Sequence, residues 1–349
     1  MKALVTGATG LLGSALVPRL LADERYREIR CLTRPGSDRR RLQPAAQRHP
    51  DRVELHTGSL ASIEGARTAL GDADVVFHLA AALRGPAADI FASTVVATKN
   101  LLEAVASSKR PIRFVLVGSL AVHATAQIEP TTLIDETSPL EPHPERRDLY
   151  THAKLRQETL CRDYQKRFGL SLTVLRPGVL YGPGAGISTR VGLSALGVFW
   201  QLGGDHRVPL SFVGNCADAL TLAGVRREAE GETYLVLDDD LPTCRELLAR
   251  YRSLAGELRV ARVPYAATLA LSHLMERYHQ VSKGQLPAVL TPYKVAALWR
   301  GHRYSNAKLH RLGWRPRVGL EEGMWRAYAD QRAAWQASAS SRMQEAKAG

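Results

Sequence analysis

Short apolar runs alternate with longer stretches of helical periodicity along nearly the whole chain. The runs at 2–6, 29–33, 53–56, 75–79, 113–118, 171–176 and 234–237 are rich in Val and Leu and are apolar at successive positions, not at every second one. Such strands are covered on both faces, so they belong to a parallel sheet with helices on each side. Between them lie patterns such as Leu16, Val17, Leu20 and Leu21, which stack on one face of a helix. The βαβα order predicts an α/β fold with a doubly wound parallel sheet.

The first run breaks into Thr6-Gly7-Ala8-Thr9-Gly10-Leu11-Leu12-Gly13 before a helix begins. Gly-rich turns also serve simple chain reversal, but this one stands between a strand and a helix at the start of the chain. There it reads as a phosphate-binding turn of a dinucleotide (Rossmann) domain. Gly7 allows the tight turn, Gly10 lets backbone approach a pyrophosphate, and Gly13 lets helix and strand pack closely. The helix N-terminus adds N–H groups and partial positive charge.

The second strand ends Cys31-Leu32-Thr33-Arg34, with Ser37, Arg39, Arg40 and Arg41 following. An acidic residue here would hold the ribose hydroxyls of NAD, whereas arginine accommodates a 2′-phosphate. NADP(H) is therefore expected over NAD(H), through Arg34 at the strand tip. Arg39, Arg40 and Arg41 read equally as a basic surface loop.

The fourth strand runs through His78 into Leu79-Ala80-Ala81-Ala82, whose small residues let a nicotinamide ribose lie against backbone. His78, inside an apolar run, reads as a packed histidine. The fifth strand ends in Gly118-Ser119, and a serine at the carboxyl end of a parallel strand points into the ligand crevice or caps the next turn. Tyr150-Thr151-His152-Ala153-Lys154 opens a helix through about Phe168, with Gly169 as its stop. Tyr150 and Lys154, four apart, share a face. A nearby ammonium favours the phenolate and is expected to lower the tyrosine pKa, which suits a general acid or base.

The remaining bulk properties narrow the class. The chain has 349 residues, 45% hydrophobic and 23% charged, as in a globular enzyme. No apolar stretch reaches the roughly 20 residues that span a bilayer. The glycine strand begins at residue 2, which argues against a cleaved signal peptide. Cys31, Cys161, Cys216 and Cys244 are scattered singly, so no metal site is expected and a reducing cytoplasm is. The net charge of +13 is carried by dispersed arginines with few aromatics between them, which argues against nucleic acid. A homodimer is expected only because twofold assemblies dominate among oligomers.

With these pieces in register, the chain resembles the extended short-chain dehydrogenase/reductases (the NAD-dependent epimerase/dehydratase superfamily). The matching motifs are T-G-A-T-G-L-L-G (6–13), F-H-L-A-A (77–81), Ser119, Y-T-H-A-K (150–154) and L-R-P-G-V-L-Y-G-P-G (175–184). The resemblance implies Ser119, Tyr150 and Lys154 as the catalytic set. Tyr150 would be the acid/base, Lys154 would hold the nicotinamide ribose, and Ser119 would polarise the substrate carbonyl. It implies cofactor contacts at Gly7, Thr9, Gly10, Leu11, Leu12, Gly13, Arg34, Ser59, Leu60, Leu79, Ala80, Ala81, Tyr150, Lys154, Pro177 and Gly178. Ser59 stands where an aspartate usually contacts adenine, Thr94 and Ala97 replace Asn and Gly, and Asn215 replaces the acid of a V-x-D element.

The dinucleotide domain is expected at 1–180 plus about 211–240, and a smaller, mostly helical C-terminal substrate domain at 181–210 plus 241–335. A polar tail follows at 336–349. The segments at 182–204 and 258–298 are apolar, and the C-terminal part resembles the 3β-hydroxysteroid dehydrogenase and dihydroflavonol reductase branch. The leading expectation is an NADP(H)-dependent enzyme interconverting a ketone and a secondary alcohol on a small, cyclic, mainly apolar substrate. A nucleotide-sugar epimerase, gripping a diphosphate with Arg190, Arg207 and Arg259, is the alternative. A non-catalytic NADP-binding protein is the third reading, against which the intact trio counts. Leu120 and Ala121 beside Ser119 offer neither the acid nor the base of a dehydratase.

Overall fold

The computed structural model describes residues 1–256, 258–282 and 290–328. Every expected sheet strand forms, with ends shifted by at most one residue. They are β1 (Lys2–Thr6), β2 (Glu28–Thr33), β3 (Val53–Thr57), β4 (Val75–His78), β5 (Arg113–Val117), β6 (Ser171–Pro177) and β7 (Thr233–Val236). All neighbours pair parallel, in the order β7-β6-β5-β4-β1-β2-β3. The order turns about β1 and β4, and ligands bind outside the carboxyl ends of strands at such a switch point.

The alternation of Cβ direction explains why the runs are apolar throughout. Ala3, Val5, Val75, Phe77, Val115 and Val117 enter one core with α1 (Leu11–Leu21) and a later helix, Val213–Ala223. Leu4, Val76, Phe114, Leu116 and Val174 enter the opposite core, under helices Ile63–Leu70, Ala97–Ser107 and Leu149–Phe168. The C-terminal part is mainly helical, with Cys244–Ala255, Tyr265–Val281 and Pro292–Trp299. The polar tail expected at 336–349 lies outside the described residues.

The apolar 182–204 segment contains a feature that its pattern did not signal. Gly192–Ala195 and Val198–Gln201 form an antiparallel hairpin, and Val260–Arg262 pairs with it. Its turn places Leu196 at φ 54° and Gly197 at φ 73°. Two-residue hairpins favour Asn-Gly or Asp-Gly where both φ are positive, and leucine carries no such signal.

Asn215, the departure from the acidic element, is 1% exposed and fully used. Its amide donates to Asp238 Oδ1 at 2.9 Å and Val318 O at 2.8 Å, and its Oδ1 accepts from the N–H groups of Arg317 and Val318, both at 3.1 Å. Burial pushes the Asp238 carboxyl up to about 6. An aspartate at 215 would face a second acid and lose both donors. Asn215→Asp is expected to lower stability by about 1–3 kcal/mol at pH 7, and by less at pH 5, where the two acids can share a proton. Denaturant midpoints at both pH values test this, and a variant as stable as the native chain at pH 7 contradicts it.

Candidate active site

The carboxyl ends of β1, β2, β4, β5 and β6 border a cavity of about 1090 Å³. Its volume exceeds that of an ordinary small-ligand pocket, leaving room for a dinucleotide and a second molecule. Every residue implied above for catalysis or cofactor contact lines it, from Gly7 and Thr9 to Pro177 and Gly178.

The glycine turn is built as a cradle. Gly7 sits at φ 68°, and a Cβ there would come within 2.9 Å of Leu79 and Ala80 backbone. A Cβ at Gly13 would lie 2.3 Å from Gly7 O, so helix and turn meet backbone to backbone. Gly10 caps α1 without a side-chain bond, which leaves the first N–H groups of the helix facing the cavity for an anion. These are the features a pyrophosphate needs, and the residues present fit a dinucleotide.

At the far end, the basic cluster after β2 divides. Arg39 donates to Thr57 Oγ1 at 2.6 Å, Arg40 pairs with Asp38 at 2.7 Å, and Arg41 reaches Pro183 O. Arg34 lines the cavity and makes no side-chain hydrogen bond or ion pair among the described residues. Ser59 Oγ accepts from Ala61 N at 3.1 Å, and Leu60 O accepts from the buried Asn100 amide at 2.8 Å.

Ser119 and Tyr150 meet across the middle of the cavity. The Ser119 hydroxyl accepts from Ala121 N at 3.2 Å and lies close enough to the Tyr150 phenol to act on its ionisation. Thus the serine both caps a turn, Leu120–Val122, and faces the tyrosine. Asp148 caps the tyrosine's helix by accepting from Thr151 N at 2.8 Å, and Gly169 ends it at φ 66°.

The electrostatics differ from expectation. Burial pushes the Tyr150 phenol above its ordinary value, and the Ser119 hydroxyl offsets part of that rise. Lys154 is not among the groups that shift it, and its Nζ donates to Val117 O and Gln157 Oε1, each at 2.5 Å. Burial also lowers the Lys154 ammonium to about 8.

Gln157 begins a chain of buried bonds that the motif reading missed. Its amide donates to Thr98 Oγ1 at 2.8 Å, and Thr98 donates to Thr94 O. The Thr98 oxygen can therefore only accept from His78 Nε2, at 2.8 Å. His78 Nδ1 then accepts from Thr6 Oγ1, also at 2.8 Å. His78 is neutral, pushed down to about 3 by burial and then by the Lys154 charge. It is a packed histidine that ties β1 to the lysine. Thr94, the departure from Asn, sits in a π-helical turn, Ala92–Val96, and accepts from Ala82 N at 3.0 Å.

Glu158, one residue on, pairs with Arg176: Nη2 to Oε1 at 2.5 Å and Nε to Oε2 at 3.1 Å, both side chains buried. Arg176 Nη1 also donates to His123 Nε2 at 3.1 Å. The sequence signal for both residues was polar positions at 154, 157 and 158, which fall on one helix face that the fold buries.

A description of the NAD dependent epimerase/dehydratase family matches residues 3–236. The chain belongs to that family. It is an NAD(P)-dependent oxidoreductase of the extended short-chain dehydrogenase/reductase type. It is 27% identical to the decarboxylating sterol-4-alpha-carboxylate 3-dehydrogenase of Saccharomyces cerevisiae, over 78% of this chain and 82% of that one. It is 24% identical to the 2-alkyl-3-oxoalkanoate reductase of Shewanella oneidensis, over 94% and 85%. Other matches are partial: 52% of the chain matches 5% of a hybrid PKS-NRPS synthetase of Thermothelomyces thermophilus, and 58% matches 61% of a cinnamoyl-CoA reductase of Petunia hybrida. A UDP-glucuronic acid 4-epimerase from Bacillus cereus, solved with NAD, shares the fold at a TM-score of 0.69 and 18% identity, over 96% and 99%. No helix among the described residues is long and apolar enough to cross a membrane.

Proposed function

We propose that the chain interconverts a ketone and a secondary alcohol with NADP(H), on a small, cyclic and mainly apolar substrate. The observation that carries this is that Ser119 and Tyr150 stand close together on the wall of the cavity that the glycine turn also lines. A carbonyl oxygen seated between the two hydroxyls is oriented by Ser119 and takes its proton from Tyr150. Because the phenol lies above its ordinary pKa, it is protonated at neutral pH and suited to act as an acid. Lys154, held by Val117 O and Gln157 Oε1, would present its ammonium beside the cofactor ribose. Bound, the dinucleotide supplies the hydride.

The glycine turn would hold the pyrophosphate, Ser59 and Leu60 the adenine, Leu79, Ala80 and Ala81 the ribose side, and Pro177 and Gly178 the nicotinamide. In this reading 1–180 plus about 211–240 serve the cofactor, and 181–210 plus 241–335 the substrate. The apolar lining of Leu83, Val179, Leu180, Ile187 and Leu298 supports a substrate poor in hydroxyls. Both long relatives reported above are named for redox at a carbinol or ketone. Of the three arginines considered for a sugar diphosphate, only Arg190 lines the cavity, which weakens the epimerase reading. Incubation with NADPH and a ketone panel, followed at the absorbance of the reduced nicotinamide, tests the proposal. Sugar isomerisation without net cofactor change defeats it.

The preference for NADP(H) rests on Arg34. Arg34→Asp is expected to lower the NADPH-to-NADH ratio of kcat/KM about 10- to 100-fold, the range of one lost charge-assisted hydrogen bond. A ratio equal to that of the native chain removes the 2′-phosphate argument.

A further inference from the structure

At the substrate end of the cavity a second charge stands without a partner. Arg190 is only 9% exposed and lines the cavity beside Ser188 and Thr189. Its backbone is pinned, with N–H donating to Ser188 Oγ at 3.2 Å and C=O accepting from His206 Nε2 at 3.2 Å. Its guanidinium makes no hydrogen bond or ion pair with any described residue. The neighbouring Arg147 differs. Its Nη1 donates to Ala121 O at 3.2 Å, to His123 O at 3.3 Å and to Glu141 Oε2 at 3.4 Å, so its charge is matched.

The groups around Arg190 offer it no anion. Asp148 spends its carboxylate on Thr151, through N–H and Oγ1, both at 2.8 Å. The others that feel the Arg190 charge are Arg147, His206, His302 and Tyr304, none of them acidic at neutral pH. Glu141 balances Arg147, which leaves one positive charge over. A guanidinium largely covered by protein and without a protein partner is free to take an anion that enters from the cavity. The open side is the cavity, which Ile187 and Leu298 also line.

We propose that Arg190 is a substrate-binding residue that seats one anionic oxygen group of a substrate whose remaining body is apolar. A single charge is left to balance, so the group is a carboxylate in preference to a phosphate. This rests on the ketone/alcohol reading of the Tyr150 site. It also makes the substrate an oxo or hydroxy acid.

The test uses NADP-loaded protein and matched probes: 4-oxocyclohexanecarboxylate, its methyl ester and 4-oxocyclohexyl phosphate. In the native chain the carboxylate is expected to exceed the ester in kcat/KM by about 10- to 100-fold, as for one charge-assisted bidentate bond. Arg190→Met removes that preference through KM, leaves kcat and NADPH affinity unchanged, and leaves the ester untouched. Arg190→Lys restores part of the preference. Calorimetric binding of cyclohexanecarboxylate to the NADP-loaded protein, lost in Arg190→Met, gives the same readout without turnover. If the native chain binds the carboxylate no better than the ester, or the Met variant weakens both alike, the inference fails while the ketone reading stands. Phosphate preferred over carboxylate overturns the carboxylate assignment. Absence of turnover with every ketone, alongside Arg190-dependent carboxylate binding, instead defeats the ketone reading.

Discussion

Tyr150→Phe is expected to reduce ketones about 10²- to 10⁴-fold more slowly than the native chain, the range for removal of a positioned proton donor. The ring and its packing remain, and only the hydroxyl that meets Ser119 is lost. NADPH affinity is therefore expected to stay within about twofold, since one cavity-facing hydroxyl contributes little to holding a whole dinucleotide. Stopped-flow turnover and fluorescence titration of NADPH separate the two effects. In the native chain, kcat/KM for reduction should hold through neutral pH and decline only at alkaline pH, as the Tyr150 phenol, raised above its ordinary value by burial, loses its proton. Activity within threefold of native in the Phe variant would take the proton from Tyr150 and give it to another group.

The second large effect is on stability. Glu158→Leu leaves the Arg176 guanidinium buried without its carboxylate, and about 3–5 kcal/mol of stability is expected to go with it. The double variant Glu158→Leu with Arg176→Met should recover most of that, because an apolar pair needs no desolvation. Urea unfolding of the two single variants and the double closes the cycle. A single variant losing under about 1 kcal/mol means that water reaches the pair and that the weld is not what positions the helix. The same cluster gives stability a pH dependence. His123 is held down to about 4, first by burial and then by the Arg176 charge, so its neutral form belongs to the fold. Its contribution is complete above about 6.5, the unfolded value, and is lost as pH falls towards 4.

These two effects meet in one helix. Leu149–Phe168 carries Tyr150 and Lys154 near its start, and Glu158 a turn past Lys154. Arg176 fastens it to β6, the strand that ends in the Pro177-Gly178 wall of the cavity. Gln157 fastens it to Thr98 and, through His78, to β1, which runs into the glycine turn. Breaking the Glu158 pair should therefore also lower kcat, by displacing Tyr150 from Ser119.

By itself the sequence determined the parallel sheet, the glycine turn and the order of Ser119, Tyr150 and Lys154. Each is a local property: strands buried on both faces must be apolar at every position, and a tight turn against a helix must be free of Cβ atoms. The Gly169 stop was legible for the same reason. Tertiary structure alone decided which charges are matched. It spent Arg39, Arg40, Arg41 and Arg147 on partners and left Arg34 and Arg190 facing the cavity. It turned Lys154 towards Val117 and Gln157, and made Asn215 the only amide that suits a buried Asp238. Those outcomes depend on groups brought together from as far as 142 residues apart, as with Arg41 and Pro183. No periodicity along the chain encodes the identity of such a partner.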